Sequence, residues 1–262
     1  MNMPKTPRPS RRVSVASRGP AEHELLVLAE DERAAPAAEA FRRLAIRLRH
    51  GHEEGTTSAW VITSPAPAEG KTLVAANLAF ALAEDPVASI LLLDADLRRP
   101  TLQRFFTNVP PRGLVDVLSG KASFDEAVCR EDRTGLHVLF AGRVRSRSEA
   151  AITTWGSHLA ALFDRLRGRY DVIVVDTPPA GVVADASSLA PICGNVLLVA
   201  RSFQTPRLQL LATLEQVGPE YVRGIVMNAV EPNFLDHSAH RYDYYRRYTA
   251  ELEDVGPDTK GD

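Results

Sequence analysis

The sequence predicts an α/β fold in which helices cover both faces of a parallel sheet. Short apolar runs, such as SAWVITS, SILLLDAD and YDVIVVDTPP, alternate along the chain with segments of helical periodicity. Strands that are buried on both faces have such continuous apolar runs, and their alternation with helices is typical of parallel sheets. Ligands bind these sheets at the carboxyl ends of the strands, so the residues after each strand are the candidate site.

Each element follows from its own local pattern. The segment AAEAFRRLAIRLRH predicts a first helix, with Phe41, Leu44 and Leu48 on one side and arginines on the other. The later elements are predicted in this order: strand 58–64, helix 72–84, strand 89–96, strand 136–142, helix 149–167, strand 170–179, strand 195–200, helix 206–217 and strand 222–230.

Composition divides the chain into a leader, one domain and a tail. The leader, residues 1–36, carries five basic residues and no acid in its first twenty positions, with scattered Pro and Ser, which predicts disorder. Residues 37–232 form the predicted folded domain, and residues 233–262 form a tail that holds a tyrosine cluster.

Composition also excludes several classes of function. The net charge of −2 gives no general case for nucleic-acid binding. Cys129 and Cys193 match no metal-binding spacing, so free thiols in a reducing cytoplasm are predicted. No apolar run approaches the length of about 18 residues that a membrane-spanning helix needs. The N-terminus has no apolar stretch of the kind found in secretory signals.

The residues after strand 58–64 form part of a phosphate-binding loop. Within SPAPAEGKTLV, Gly70 permits close backbone approach, Lys71 would reach the β- and γ-phosphates, and Thr72 would offer a hydroxyl group to Mg²⁺. Pro65 stands where the first glycine of G-x-x-x-x-G-K-[ST] belongs. The position of the loop between a strand and a helix predicts a nucleotide site in spite of that departure.

Carboxylates follow two more predicted strands. LLLDADLRRP places Asp94 and Asp96 on one face of the chain, two residues apart, with Arg98 after them, and VIVVDTPP brings Asp176 to a strand end as a Walker B carboxylate. One carboxylate could cap a turn, but three of them beside a phosphate loop predict an Mg²⁺–nucleotide site. The predicted fold is therefore a parallel sheet of the P-loop NTPase type, flanked by helices on both faces.

These segments together resemble the bacterial tyrosine kinases (BY-kinases) of capsule and exopolysaccharide synthesis. TSPAPAEGKT resembles their altered phosphate loop, T-S-x-x-P-x-E-G-K-[ST], and LLLDADLRRP resembles a hydrophobic run followed by D-x-D-x-R. VVDTPP resembles their Walker B segment, and HRYDYYRRYT resembles the cluster on which they autophosphorylate. The resemblance covers roughly residues 37–250 and makes residues 37–232 a P-loop kinase domain.

The resemblance implies a protein-tyrosine kinase that uses ATP and Mg²⁺. The residues that it makes catalytic are Lys71, Asp94, Asp96 and Arg98. Either Asp94 or Asp96 would accept the proton of the tyrosine phenol, and spacing alone leaves that choice open. The implied Mg²⁺ ligands are Thr72, Asp94 and Asp176. The implied nucleotide contacts are Glu69, Gly70, Lys71, Thr72, Leu73 and Asn228. Asn228 corresponds to the asparagine that reads adenine in the family.

Four of the six tyrosines lie in the tail, at Tyr242, Tyr244, Tyr245 and Tyr248. Three of them recur at helical spacing and could form the inner stripe of a last helix, but Tyr244 lies off that stripe. The resemblance favours phosphorylation in trans. The 14 residues from Asn228 to Tyr242 span up to about 46 Å when extended, which is long enough to reach a neighbouring copy.

The resemblance also implies partners. A transmembrane adaptor of the polysaccharide co-polymerase type would bind and activate the domain, which would then lie in the cytoplasm at the inner face of the membrane. Self-association, for example as a ring, is implied as well, and no nucleic-acid partner is expected. Lys71 has no predicted core contact, so Lys71→Met is expected to abolish transfer and to leave the fold intact.

The chain departs from the family pattern at three places. Ala68 stands where the family has glycine, which bears on how the loop cradles phosphate. The oligomerisation signature E-x-x-R-x-x-R retains Glu39 and Arg42 but has Ala45 in its last position. The Pro–Asn pair of the loop after LFAG is missing from RVRSRSEA.

Two other functions stay open from the sequence. An ATPase of the partitioning or cell-division type would use the same loop, but such proteins usually carry a second lysine in K-G-G-x-G-K-T. This chain has Ser64, Pro65 and Ala66 in that region. A nucleotide-sensing scaffold without transfer activity is the other alternative, and Ala68 favours it.

Overall fold

The computed structural model describes residue 9 and residues 11–16, 25–29, 34–49, 56–146 and 149–230. The strands are β1 (Arg11–Val15), β2 (Ser58–Thr63), β3 (Ile90–Asp94), β4 (Phe106–Thr107), β5 (Cys129–Glu131), β6 (His137–Leu139), β7 (Val172–Asp176), β8 (Gly194–Arg201) and β9 (Val222–Asn228). The α-helices are α1 (Ala35–Arg49), α2 (Lys71–Ala83), α3 (Leu114–Leu118), α4 (Phe124–Ala127), α5 (Gly156–Leu166), α6 (Asp185–Cys193) and α7 (Arg207–Val217). The chain divides into two compact units, Met1–Asn228 and Ala229–Asp262, and all of these elements belong to the first.

All nine strands form one sheet in the order β4-β1-β5-β6-β3-β7-β2-β8-β9. The six strands from β6 to β9 in that order pair in parallel, which confirms the predicted parallel sheet. The other edge is mixed, because β5 pairs antiparallel with β6 and β4 pairs antiparallel with β1. β4 and β5 were not predicted from the sequence, because they are only two and three residues long.

Helices cover both faces of the sheet, as predicted. One apolar core joins α1 and α2 to residues such as Trp60, Ile62 and Leu92 of the central strands. The second core lies on the opposite face, where α3 to α7 pack against Val61 and Leu91. Alternate residues of the same strands therefore serve opposite cores, which explains why these strands are apolar throughout.

Helix α2, which follows the phosphate loop, is buried on nearly all sides. Twelve of its 13 residues are buried, so its sequence KTLVAANLAFALA lacks the polar stripe of a surface helix. The one amide inside it, Asn77, is satisfied: its Nδ2 donates to the Leu73 carbonyl at 2.9 Å, and its Oδ1 accepts from Val27 N at 3.0 Å. The helix that presents Lys71 and Thr72 is thus fixed firmly in the fold.

The prediction of a disordered leader is wrong for two of its segments. Residues 11–15 form β1, which pairs with β5 and buries Val13. Residues 25–29 pack on α2, where Leu25 and Val27 join the core. Apolar residues between the arginines account for the difference, because they have a sheet edge and a helix to pack against, which composition alone does not reveal.

Two further details differ from the predictions. The predicted helix 149–167 begins with a 3-10 turn at Ile152–Trp155 and becomes α-helical only at Gly156–Leu166. In the oligomerisation signature, Arg42 pairs with Glu84 of its own chain at 2.9 Å, and Ala45 is buried in the core. Among the described residues, no helix combines the length and the apolar character needed to cross a bilayer.

Candidate functional site

The predicted site residues converge at the carboxyl ends of three adjacent strands. β3, β7 and β2 are neighbours in the sheet, and Asp94 and Asp176 are direct register partners at the last position of β3 and β7. The two strand ends are joined further by Ala95 N, which donates to the Asp176 carbonyl at 2.8 Å. Because the phosphate loop follows β2, the parallel arrangement brings the loop beside both carboxylates.

Lys71 lies at the centre of this cluster. Its Nζ is 2.9 Å from Asp96 Oδ2 and 3.6 Å from Asp176 Oδ1, and only 11% of its side chain is exposed. Burial alone would lower the pKa of the Lys71 ammonium, but Asp176, Asp96 and Asp94 together outweigh burial and raise that pKa above its usual value. The expectation that Lys71 has no core contact is therefore wrong, since it neutralises buried charge.

The carboxylates around Lys71 keep unused oxygens. Asp94 Oδ2 and both Asp176 oxygens are buried without a hydrogen-bond partner. Burial raises the pKa of Asp94 well above its usual value, and the charges of Asp176 and Asp96 add to that rise. Burial also raises the pKa of Asp176, although the positive charge of Lys71 opposes this shift. Buried, unsatisfied carboxylate oxygens are costly unless a cation reaches them, so the cluster fits Mg²⁺.

A second hydroxyl group lies beside the predicted Mg²⁺ ligand Thr72. Thr101 Oγ1 donates to Thr72 Oγ1 at 3.1 Å, and Lys71 Nζ is 3.3 Å from the same oxygen. Among the described residues, no set of three His, Cys, Asp or Glu side chains could hold a metal by itself. Mg²⁺ usually keeps several waters and takes one or two carboxylates plus phosphate oxygens, so a hydroxyl with Asp176 suits it. Thr101 was not predicted as a site residue, although its place just after DADLRRP was a signal for it.

The phosphate loop is held in a strained conformation. Ala68 has φ 64° and Gly70 has φ 92°, both in the left-handed region. Glycine adopts that region freely, whereas an alanine there costs roughly 1–2 kcal/mol. The family glycine at position 68 is thus explained by backbone geometry, and Ala68 retains that geometry at an energetic cost.

The predicted adenine reader Asn228 contacts the phosphate loop. At the end of β9, its Nδ2 donates to the Glu69 carbonyl at 2.9 Å. A Cβ at position 70 would lie 2.0 Å from the same Nδ2, so Gly70 is needed here for the amide as well as for the left-handed φ. Leu73, in the first turn of α2, is partly buried and packs against the apolar core that contains α1 and α2.

Arg98 lies near enough to Asp96 for their charges to interact, but its direct ion pair is with Asp185. Its Nε donates to Asp185 Oδ2 at 2.8 Å and its Nη2 to Oδ1 at 3.4 Å, and the Asp185 side chain is fully buried at the start of α6. The nearby Asp96 is held differently, because its Oδ1 accepts from Arg99 N at 3.0 Å. The Arg98–Asp185 ion pair therefore fixes the loop after β3. Asp185 was not predicted from the sequence as a partner of Arg98.

The loop after β7 packs directly on the phosphate loop. Thr63 Oγ1 donates to the Pro178 carbonyl at 2.8 Å, and Thr177 N donates to the Ile62 carbonyl at 3.1 Å. A Cβ at Gly181 would lie 2.3 Å from the Pro65 carbonyl, so only glycine permits this approach.

The predicted phosphate acceptors Tyr242, Tyr244, Tyr245 and Tyr248 lie outside the described residues.

Comparison with known proteins places the chain in a family. No family model matches it. EpsB of Ralstonia solanacearum is 35% identical over 216 residues, which are 81% of this chain and 28% of EpsB. The tyrosine-protein kinase YwqD of Bacillus subtilis is 31% identical over 222 residues, which are 84% of this chain and 90% of YwqD. The chain belongs to the bacterial tyrosine kinase family.

Other family members and solved structures extend the comparison. The succinoglycan biosynthesis transport protein ExoP of Rhizobium meliloti is 33% identical over 177 residues, 66% of this chain and 22% of ExoP. The kinase domain of Escherichia coli tyrosine kinase ETK has a TM-score of 0.70 at 29% identity, with 78% of this chain and 80% of that one covered. MinD of Pyrococcus horikoshii, solved with Mg-ADP, has a TM-score of 0.52 at 26% identity, with 65% and 70% covered.

The lengths of these relatives differ widely. The chain spans 28% of EpsB and 22% of ExoP, but it spans 90% of YwqD. The two solved structures confirm the predicted P-loop NTPase fold, and the family confirms the resemblance drawn from the motifs.

Proposed function

We propose that this chain is an ATP-dependent protein-tyrosine kinase that phosphorylates the tyrosine cluster of its tail in a second copy of itself. The observation that carries the proposal is the buried cluster of Lys71 with Asp94, Asp96 and Asp176, in a chain that belongs to the bacterial tyrosine kinase family. The structure of MinD with Mg-ADP supports ATP and Mg²⁺ as the cofactors, because the two proteins share a fold.

Nucleotide binding would use residues whose contacts are already described. Lys71 would turn from Asp96 and Asp176 to the β- and γ-phosphates, and the backbone of the phosphate loop would face the same groups. Thr72 and Asp176 would hold Mg²⁺, with Asp96 bonded to its waters. Bound there, Mg²⁺ would neutralise charge on the phosphates, which dominates the energetics of phosphoryl transfer together with positioning.

Asp94 is the better candidate for accepting the tyrosine proton. A phenol has an ordinary pKa of about 10, so a base must take its proton as it attacks. Asp94 Oδ2 has no hydrogen-bond partner, and burial raises the pKa of this carboxyl group, so it takes up a proton more readily than an exposed carboxylate. Both Asp96 oxygens, in contrast, accept hydrogen bonds, from Lys71 and from Arg99 N. The alternative role that the motif implies for Asp94 is Mg²⁺ ligand, and in that role Asp94 would not be the base.

The substrates in this proposal are the four tail tyrosines, at Tyr242, Tyr244, Tyr245 and Tyr248. Each phosphate adds about −1.5 to −2 charge, so four add about −6 to −8. Repulsion from the acidic cluster would then release a phosphorylated tail, and an assembly of several copies would loosen.

The cellular setting is part of the proposal. The similarity of this chain to ExoP, a succinoglycan biosynthesis transport protein, supports a role of the chain in exopolysaccharide or capsule synthesis and export. A transmembrane adaptor of the polysaccharide co-polymerase type would hold the chain at the inner face of the membrane and activate it. Strong activity of the purified chain, unchanged by any such membrane partner, would count against the adaptor.

Incubation with ATP and Mg²⁺, followed by anti-phosphotyrosine blotting and phosphate release, tests the activity. A kinase gives phosphotyrosine on the tail. Release of phosphate without phosphotyrosine would instead indicate an ATPase of the partitioning type, and nucleotide binding without turnover would indicate a sensing scaffold.

Transfer between copies has its own test. A full-length Lys71→Met chain, confirmed as folded by circular dichroism, is mixed with a chain that lacks residues 240–262. Phosphotyrosine on the full-length, inactive chain is the expected result. Its absence, when the truncated chain binds ATP and associates with its partner, would show that the tyrosines are not substrates in trans.

A further inference from the structure

A buried carboxylate lies inside the phosphate loop itself. The Glu69 side chain is only 5% exposed, although it is charged and belongs to a surface loop. Its Oε2 accepts from Ala66 N at 2.9 Å, and its Oε1 accepts from Thr205 Oγ1. Charged groups are rarely buried unless they are hydrogen-bonded, so these two contacts account for its position.

Thr205 belongs to the turn that connects β8 with α7. Its Oγ1 also accepts from Arg201 N at 2.7 Å, and its own N–H donates to the Arg201 carbonyl at 3.0 Å, which closes the turn from both sides. The neighbouring Ser202 N donates to the Asn228 carbonyl at 2.9 Å. This turn is therefore a rigid support, tied to the end of β9 and, through Thr205, to Glu69.

The Glu69 carboxylate closes the loop around its strained residue. The bond to Ala66 N–H spans Ala68, whose φ of 64° is unfavourable for alanine. Strained backbone persists only where the surroundings over-determine it. Pro65 replaces the first glycine of the motif, and Ala68 replaces the glycine of the family, so contacts from outside must fix the shape of this loop.

We infer that Thr205 and Glu69 form a clamp that holds the phosphate loop in its nucleotide-binding shape, and that Thr205 is a positioning residue for the phosphates. The inference rests on the proposed function only for the identity of the nucleotide. The backbone N–H groups of such loops bind phosphate oxygens, so their directions must be set before the nucleotide arrives. Thr205 would act through Glu69, whose carboxylate accepts its hydrogen bond.

The clamp is tested in the full-length chain with Thr205→Val, which keeps the shape and removes the hydroxyl group. Thr205→Ser restores the hydroxyl and is the rescue. Thr213→Val is the matched control, because the buried Thr213 hydroxyl donates to the Gln209 carbonyl within α7 at 2.8 Å and makes no bond to the loop. Circular dichroism and the unfolding midpoint confirm folding, and Thr205→Ala replaces Thr205→Val if the valine chain does not fold.

Two measurements are made on each chain. Amide hydrogen exchange of residues 66–70, without nucleotide, should be faster in Thr205→Val than in the wild type, Thr205→Ser and Thr213→Val. Calorimetric affinity for ATP should fall about tenfold in Thr205→Val, the effect expected for one hydrogen bond to a charged acceptor. Affinity for AMP, which lacks the β- and γ-phosphates, should fall much less.

Each outcome decides the inference. Unchanged exchange at 66–70 in Thr205→Val would overturn the clamp, and so would an equal loss of ATP affinity in Thr213→Val. An equal loss for ATP and AMP would also overturn it, because a general loosening of the fold does not discriminate between them. If the wild type binds no ATP, the proposed function fails, while the exchange measurement still decides whether the clamp exists.

Discussion

Replacing Lys71 by methionine should destabilise the fold as well as stop phosphoryl transfer, and the destabilisation should depend on pH. Lys71 is the only cation with an ion pair to Asp96 or Asp176 among the described residues, and both carboxylates are buried. Methionine keeps the apolar stem and removes the charge. The variant therefore leaves Asp94, Asp96 and Asp176 together in a buried site without a counter-charge.

The size of the effect follows from burial. Removing one partner of a buried ion pair costs about 3–5 kcal/mol, and protonation of the remaining carboxylates limits that cost, so we expect about 3 kcal/mol at pH 8. Asp94 and Asp176 have pKa values raised in the folded state, chiefly by burial, so their ionisation removes stability as the pH rises through those values. Lys71 offsets part of this loss, and the effect of its removal should shrink as the pH falls and the carboxylates take up protons.

Urea unfolding at pH 8 and pH 5.5 measures the difference between variant and wild type. Lys121→Met is the matched control, because Lys121 Nζ is 3.5 Å from Glu149 with 49% of its side chain exposed, and such a surface pair contributes at most about 1 kcal/mol. If Lys71→Met costs no more than Lys121→Met, or if its cost is the same at both pH values, the assignment of Lys71 as the counter-charge is incorrect.

Two further substitutions test the loops beside the site. Ala68→Gly should stabilise the chain by up to about 1 kcal/mol in urea unfolding, because relief of the left-handed strain exceeds the entropic cost of glycine. The control is Ala66→Gly, at a residue without positive φ, which should destabilise the chain. A loss of stability in both variants would contradict the strain argument. Arg98→Met should cost about 1–3 kcal/mol in urea unfolding, since it leaves the buried Asp185 carboxylate unpaired. Arg99→Met removes the same charge from a neighbouring side chain that makes no ion pair to Asp185 and should change stability by less than about 0.5 kcal/mol, so equal effects would exclude a role for the Arg98–Asp185 pair.

Local patterns were sufficient where one short segment carries the whole signal. The short apolar runs of β2, β3 and β7 determine strands because a strand that is buried on both faces is apolar throughout, and β-branched residues in β2 and β7 add to that preference. The residues after these parallel strands then meet at one edge of the sheet. The grouping of Lys71 with Asp94 and Asp176 was predictable for that reason. The strand β1 was missed because RRVSV has one buried residue, and pairing with β5 and β4, which are distant in sequence, stabilises it.

The sequence by itself determined the fold class, the family and the chemical groups at the strand ends, because each depends on residue types at fixed spacing. The tertiary structure alone decided which groups are partners. It paired Arg98 with Asp185, 87 positions away, placed Thr205 against Glu69 across 136 positions, and set Asn228 on the loop before α2. Hydrogen bonds and ion pairs act over about 3 Å, so contacts between distant segments depend on how the strands are ordered in the sheet, which no local pattern specifies.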